Sequence, residues 1–156
     1  MDFINKIFEL DLGKFVPEMN LVLDKARLLV TVSVLAGPIL LLVLGLVYCF
    51  IPPKEANHRF GFRTYFGMGS VEAWRFTQRI GGITFGGLGL ILLVIMLFVI
   101  GGFDAKDHFE MVNSAMQALL WQAGLALAAR LAVAVLAAVF FDRMGNRRKR
   151  NTKRAR

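Results

Sequence analysis

The sequence predicts an all-α membrane protein with three transmembrane helices, an N-terminal interfacial amphipathic helix and a short amphipathic helix leading into the second span. Three observations predict this fold class: the 156 residues are 56% hydrophobic, the apolar residues fall in three long runs, and all charged residues except Arg130 lie before, between or after these runs. A helix needs about 20 apolar residues to cross a hydrocarbon core about 30 Å thick. The runs 28–51, 80–103 and 115–141 meet that length.

The regions outside the three runs have different compositions. Residues 1–27 place apolar side chains at helical spacing with charged ones mostly opposite, which is typical of an interfacial helix. Gly13 and Pro17 predict that this segment consists of two short helical pieces. Residues 28–141 then form the transmembrane domain, which includes a loop at 52–79, and residues 142–156 are expected to be a disordered basic tail.

Each apolar run carries a feature that affects packing. In the first, Pro38 lacks a backbone N–H and frees the carbonyl of Val34, which predicts a kink. In the second, Gly82 and Gly86 form a small-residue face that allows another helix to approach closely. In the third, small and polar residues form a stripe expected to face the other helices: Ala115, Ala118, Gln122, Ala126, Arg130, Ala134 and Ala137.

The distribution of Lys and Arg predicts the orientation. The connection 52–79 holds five basic residues against two acids, and residues 142–156 hold eight against one. Both are therefore expected in the cytoplasm of a plasma-membrane protein, with the N-terminus and the acidic 101–114 connection outside. The basic tail is expected to bind anionic lipid, and no nucleic acid partner is expected. Cys49 is the chain's one cysteine, so no internal disulfide forms.

Arg130 is a charged residue in the middle of the third run. An arginine at the bilayer centre costs about 2.5 to 3.5 kcal/mol on insertion scales and usually faces the bundle interior. We expect Arg130 to bond to the kinked region of the first span. The acceptors available at similar depth are the hydroxyls of Thr31 and Ser33, the carbonyl of Val34 and the intramembrane amide of Gln122. Arg130 is an interhelical hydrogen-bond anchor, is hydrated by a small water pocket, or is a contact for an anion or substrate in a cavity.

The polar connection between the first two runs is rich in arginine and aromatic residues. Pro52 and Pro53 stop the first helix, and Ser70 has the position of an N-cap with Glu72 in the first turn of the next helix. On one interpretation this is an ordered interfacial loop, in which Arg63 pairs with Glu72 or a lipid phosphate and Trp74 lies at headgroup level.

The same connection resembles the signature loop of the SdpI family of small bacterial membrane proteins, which is named for a toxin-immunity protein. The resemblance lies in Asn57, the run Gly61-Phe62-Arg63-Thr64, and the later Ser70, Glu72 and Trp74, directly after Ile51-Pro52-Pro53. It implies an immunity or signalling protein that protects against or senses a secreted peptide toxin. It also implies a recognition surface for a peptide toxin or partner membrane protein formed by Asn57, Gly61, Arg63, Thr64, Glu72 and Trp74.

Catalysis is not supported by the sequence. The predicted topology places His58 and His108 on opposite sides of the membrane, and no serine has a nearby base and orienting acid. We therefore expect a protein that is not an enzyme and has no cofactor or metal. Two further hypotheses remain beside immunity: an accessory subunit that packs into a larger membrane complex, and a small transport component organised around Arg130.

Overall fold

The computed structural model describes residues 12–53, 61–103 and 107–148. These ranges contain three α-helices and no β-strand: α1 is Leu12–Phe50, α2 is Val71–Gly101 and α3 is His108–Phe140. Each helix holds a stretch long and apolar enough to cross a membrane, namely Asp24–Phe50, Val71–Gly101 and His108–Phe140. The predicted all-α class with three spanning helices is confirmed.

The N-terminal part of α1 differs from the sequence prediction. Residues 12–27 continue into the first span as one helix, so Gly13 and Pro17 do not divide this part into two pieces. Extension of a helix that has already formed adds one hydrogen bond per residue without a new nucleation step, which favours continuation. Residues 1–11 of the expected interfacial segment lie outside the described residues.

Glycines bring the backbones of α1 and α2 together. A Cβ on Gly82 would lie 2.9 Å from the backbone nitrogen of Cys49 and 3.0 Å from the carbonyl oxygen of Gly45, and a Cβ on Gly45 would meet the backbone of Gly86. A Cβ on Gly89 would lie 2.5 Å from the backbone nitrogen of Leu42. The small-residue face predicted for the second span is therefore real, and its partner is α1.

The stripe on α3 follows the prediction over part of its length. Ala115, Ala118, Gln122 and Ala137 are buried, whereas Arg130 is exposed and Val133 is buried in the interior. Steps of four residues advance 400° around a helix, so each step moves a side chain about 40° off the face. In this part of α3 the buried position is therefore Val133, and Arg130 lies off the interior face.

The two ends of the bundle have different interiors. At the end where α2 connects to α3, the buried side chains form an apolar cluster: Val34, Leu92, Met96, Phe103, Met111, Ala115 and Ala118. At the other end, called the loop end, residues 61–70 lie beside the first turns of α2 and residues 141–148. A second apolar cluster of Phe62, Phe85 and Val133 places a loop side chain between helices there.

Residues 141–148 form a turn after α3, called the C-terminal turn. Phe141 and Arg147 form an antiparallel bridge, and the amide of Arg148 donates to the carbonyl of Phe140 at 2.9 Å. Gly145 takes φ +74°, a left-handed conformation that favours glycine. The expected disorder of the tail is therefore wrong for residues 142–148, while residues 149–156 lie outside the described residues.

Candidate functional site

Gln78 fastens the loop to α2. Its side-chain oxygen accepts from the amide of Phe62 at 2.7 Å, and its side-chain nitrogen donates to the carbonyl of Phe62 at 3.0 Å. Gln78 lies seven residues after the start of α2, so Phe62 reaches about 10 Å along that helix. Irregular backbone at this depth needs internal hydrogen bonds, and Gln78 supplies both.

Gly61 and Trp74 shape the approach to this contact. Gly61 takes φ +123°, and a Cβ there would lie 2.5 Å from the Trp74 ring. Trp74 is fully buried, and its indole nitrogen donates to the carbonyl of Pro53 at 2.8 Å. Both the backbone conformation and the space at position 61 therefore require glycine, and Trp74 joins the end of α1 to the start of α2.

A turn built on Thr64 follows. The hydroxyl of Thr64 accepts from the amide of Gly67 at 3.0 Å, and its carbonyl accepts from the amide of Met68 at 3.1 Å. A Cβ on Gly67 would lie 2.5 Å from the hydroxyl oxygens of Thr64 and Thr77. Thr64 is thus buried as a structural turn residue.

Ser70 connects the loop to both α2 and the C-terminal turn. Its hydroxyl accepts from the amide of Ala73 at 3.1 Å, as predicted for an N-cap, and donates to the carbonyl of Gly145 at 2.7 Å. Glu72 forms an ion pair with Arg147 at 4.0 Å, where each side chain is 65% exposed. An exposed pair of this kind contributes about 0 to 1 kcal/mol, so the Ser70 contact is the stronger link.

Beneath the loop lies a cavity of about 490 Å³, called the two-arginine cavity. It brings Arg63 of the loop together with Arg130 of α3, two residues that the sequence separates by 67 positions. The other residues that line it are Leu44, Tyr48, Gly61, Phe62 and Phe85. Phe62 packs on Phe85 with ring centroids 4.9 Å apart and edge-on against Tyr48 at 6.3 Å. The cavity therefore combines two guanidinium groups with apolar and aromatic side chains.

The predicted bond between Arg130 and the first span is wrong. Gln122 makes that contact instead, because its side-chain nitrogen donates to the carbonyl of Val34 at 3.0 Å. Gln122 lies about 12 Å from Arg130 along α3. This difference in depth explains why Gln122, and not Arg130, contacts Val34. Within the described part of the chain, Arg130 makes no hydrogen bond or ion pair.

The residues of the expected recognition surface separate into two groups. Arg63 and Glu72 are exposed, whereas Thr64 and Trp74 are buried. Trp74 is enclosed by protein and does not lie among lipid headgroups, because its indole nitrogen is bonded to Pro53. Gly61 packs on Trp74 as described above. Asn57 lies outside the described residues.

Gln78 is the residue at this site that sequence reasoning missed as a functional candidate. The available signal was its spacing, because Thr77 and Gln78 follow Trp74 by three and four residues and share its helix face. Uncharged polar residues on the face of a buried tryptophan indicate a polar contact inside the bundle. In the described ranges every buried side-chain nitrogen and oxygen has a hydrogen-bond partner.

The described residues do not assemble a group of three histidine, cysteine, aspartate or glutamate side chains that could hold a metal ion. The polar groups of the site instead bind backbone and line a cationic cavity. This chemistry suits the binding of an anion or a peptide.

Three spanning helices, with a first connection that enters the bundle and is fastened to the second helix, define a small multi-pass membrane protein. The chain belongs to the SdpI/YfhL protein family, whose model matches residues 54–141, more than half of its length. The match includes the loop, α2 and α3. No curated protein and no solved structure matches the chain.

Proposed function

We propose that this protein is an immunity or signalling protein of the bacterial plasma membrane that protects against, or senses, a secreted peptide toxin. The observation that carries this proposal is membership of the SdpI/YfhL family through the segment that contains the loop. The protein acts by binding and is not an enzyme. The group at the loop end that is exposed and suited to a polar ligand is the guanidinium of Arg63.

The geometry of the loop assigns different roles to its residues in this proposal. Gln78, Trp74 and Thr64 are buried and hold the loop in place, so they act on recognition indirectly. Arg63 is exposed and lines the two-arginine cavity, and it is the residue we expect to contact a membrane-inserted toxin or a partner protein. Arginine is among the residue types that most often dominate binding affinity.

The test is survival of toxin-challenged bacteria that express the protein. A strain sensitive to a membrane-active peptide toxin is transformed with wild type, Arg63→Ala or Arg75→Ala, with membrane levels matched by immunoblot. Arg75 is a suitable control because it is also exposed near the start of α2 but does not line the cavity. We expect Arg63→Ala to reduce survival at least about tenfold relative to Arg75→Ala, the loss that accompanies removal of one charged contact.

Two outcomes would count against the proposal. Wild type that gives no protection against any peptide toxin tested would refute the immunity role. Full protection by Arg63→Ala would refute the assigned contact. The first result would favour the accessory-subunit hypothesis, which is tested by purification of the tagged protein with its membrane partners. A transport role would instead appear as solute flux that depends on Arg130.

The proposed orientation has the N-terminus outside and the C-terminus in the cytoplasm. The loop end and the C-terminal turn are in contact, so they lie on one side of the bundle, and both are basic. A reporter that is active only in the cytoplasm is expected to function when fused after Arg156 or inserted near Lys54. Activity of an insertion near Asp107 would overturn this orientation.

A further inference from the structure

The two-arginine cavity holds one positive charge, that of Arg130, which no described residue offsets. No carboxylate is among the described residues that line it, and Arg130 makes no hydrogen bond or ion pair to the described chain. Two guanidinium groups that line one cavity repel each other, and an anion between them would offset that repulsion. The cavity therefore favours an anionic ligand.

The position of the cavity narrows the chemistry of this ligand. Arg130 lies ten residues before the end of α3, about 15 Å along the helix axis from Phe140, within the membrane-spanning segment. Leu44 is 40% exposed on the surface of α1 and also lines the cavity. A ligand there meets both guanidinium groups and apolar side chains, so an amphipathic ligand fits this cavity.

We propose that the two-arginine cavity binds the phosphate group of an anionic phospholipid. Arg130 and Arg63 contact the phosphate oxygens, and Leu44 and Phe85 contact the beginning of an acyl chain. Guanidinium binds phosphate oxygens in pairs, which makes arginine well suited to this role. The site is separate from the basic tail. It shares Arg63 with the surface proposed for toxin contact, but lipid binding does not require the immunity function.

The lipid site explains why an arginine is accommodated at a depth where the described protein supplies no partner. Gln122 satisfies the carbonyl left free by Pro38, so Arg130 is not required for the contact between α1 and α3. Polar residues inside membranes usually pair with protein groups, or face a cavity with a ligand or water. A bound phosphate provides the paired charge from outside the chain.

The experiment uses the full-length protein purified in a neutral detergent. Thermal unfolding and native mass spectrometry are recorded with phosphatidylglycerol, phosphatidylcholine or inorganic phosphate as the probe. We expect phosphatidylglycerol to bind and to raise the unfolding temperature more than either alternative. Arg130→Gln is expected to weaken binding of phosphatidylglycerol about tenfold, as loss of a charged hydrogen bond predicts.

The control is Arg75→Gln, which removes an equal charge from an exposed position outside the cavity. It keeps the basic tail, so any lipid bound by the tail is common to all variants. We expect its affinity to stay within about twofold of wild type, because an exposed charge outside the site contributes little. Arg130→Lys should bind more tightly than Arg130→Gln, because it keeps the charge but not the paired geometry.

Several results would overturn the proposal. Equal stabilisation of wild type by phosphatidylglycerol and phosphatidylcholine would exclude selection by charge. Stabilisation by inorganic phosphate equal to that by lipid would indicate a site for a free anion. Unchanged lipid binding by Arg130→Gln would exclude the cavity. If Arg130→Gln does not fold, the wild-type comparison of the three probes still tests selection by charge, and Arg63→Gln tests the location of the site. Unchanged lipid binding by Arg63→Gln would then exclude the cavity.

Discussion

The loop end and the opposite end of this bundle are held together by different physical means. At the opposite end, side chains such as Met96, Phe103 and Met111 form an apolar cluster. At the loop end, Trp74 and Gln78 are fully buried and make directional hydrogen bonds to backbone atoms of distant residues. Apolar packing tolerates exchange among side chains of similar volume, whereas a buried donor or acceptor requires one particular partner.

The comparison indicates where function can be located. A surface used for recognition needs a fixed backbone, and the loop end obtains it from side chains that bind the loop and the C-terminal turn together. The opposite end needs only to exclude lipid from between the helices. Stability at the loop end should therefore depend most on keeping each buried hydrogen-bonding group. Stability at the opposite end should depend most on keeping the volume of each apolar side chain.

The largest effect is expected where the backbones of α1 and α2 touch beneath the loop end. Gly82→Leu should destabilise the protein by about 4 kcal/mol or more, because the added atoms meet backbone that cannot move aside. Gly87→Leu is the matched control, since a Cβ there meets nothing within 4 Å. The measurement is the thermal unfolding midpoint in detergent. Equal midpoints for the two variants would contradict the close approach.

The second prediction compares the two ends directly. Gln78→Leu leaves the amide and the carbonyl of Phe62 without partners and should lower stability by about 2 to 5 kcal/mol. Gln117→Leu replaces an exposed glutamine of α3 at the opposite end of the bundle and should change stability by less than about 0.5 kcal/mol. Denaturant unfolding in mixed micelles measures both. A loss for Gln78→Leu no greater than that for Gln117→Leu would remove the distinction between the ends.

The third prediction concerns the contact between α1 and α3. Gln122→Leu should cost about 1 to 2 kcal/mol, because the carbonyl of Val34 loses its donor. In a Pro38→Ala background the cost should fall to less than half, since the new amide at position 38 can donate to Val34 within α1. A double-mutant cycle measures this coupling. Additive losses would mean that Pro38 does not create the need for Gln122.

The smallest effect is expected at the C-terminal turn. The backbone amide of Asn146 donates to the Asp142 carboxylate at 2.8 Å, and this hydrogen bond is the largest cause that lowers the pKa of Asp142 below its ordinary 3.8. The Asn146 side chain, the Met144 amide and the charge of Arg148 lower this pKa further. A lowered folded-state pKa means that the stabilisation is present above pH 3.8 and is lost as the pH falls below it. Hydrogen exchange of the Met144 and Asn146 amides should therefore be protected at neutral pH.

Asp142→Asn supplies the control for that measurement. The amide side chain keeps the shape but removes the charge, so protection of the two amides should be weaker and independent of acidification. An unchanged pH profile in Asp142→Asn would show that another group is responsible. The stability of the helices should be unaffected, because Asp142 lies at the surface beyond the end of α3.

Much of the loop end could be predicted one residue at a time. Ser70 was expected as an N-cap from its type and the following Glu72, and it caps α2. The Gly82 and Gly86 spacing predicted a close helix contact, and that contact exists. The contact of Ser70 with Gly145 could not be predicted, because it joins residues 75 positions apart.

The error at Arg130 has a specific origin. The ends of an apolar run define the depth of a residue only to within about two helical turns, which is the separation between Gln122 and Arg130. Repeated steps of four residues drift around the helix, so they do not define the face on which Arg130 lies. Only the packing of the three helices brings the side chain of Gln122 to the carbonyl of Val34 and brings Arg130 into the lining of the same cavity as Arg63.

The sequence by itself determined the three spanning helices, the glycine face on α2, the cap at Ser70 and the family, because these depend on local composition and short spacing. The tertiary structure alone decided that Gln78 holds Phe62, that Trp74 is buried and that Arg63 and Arg130 share one cavity. The physical reason is that inside a bilayer each helix forms from its own residues, whereas the rotation and depth at which helices meet depend on contacts between segments far apart in the chain.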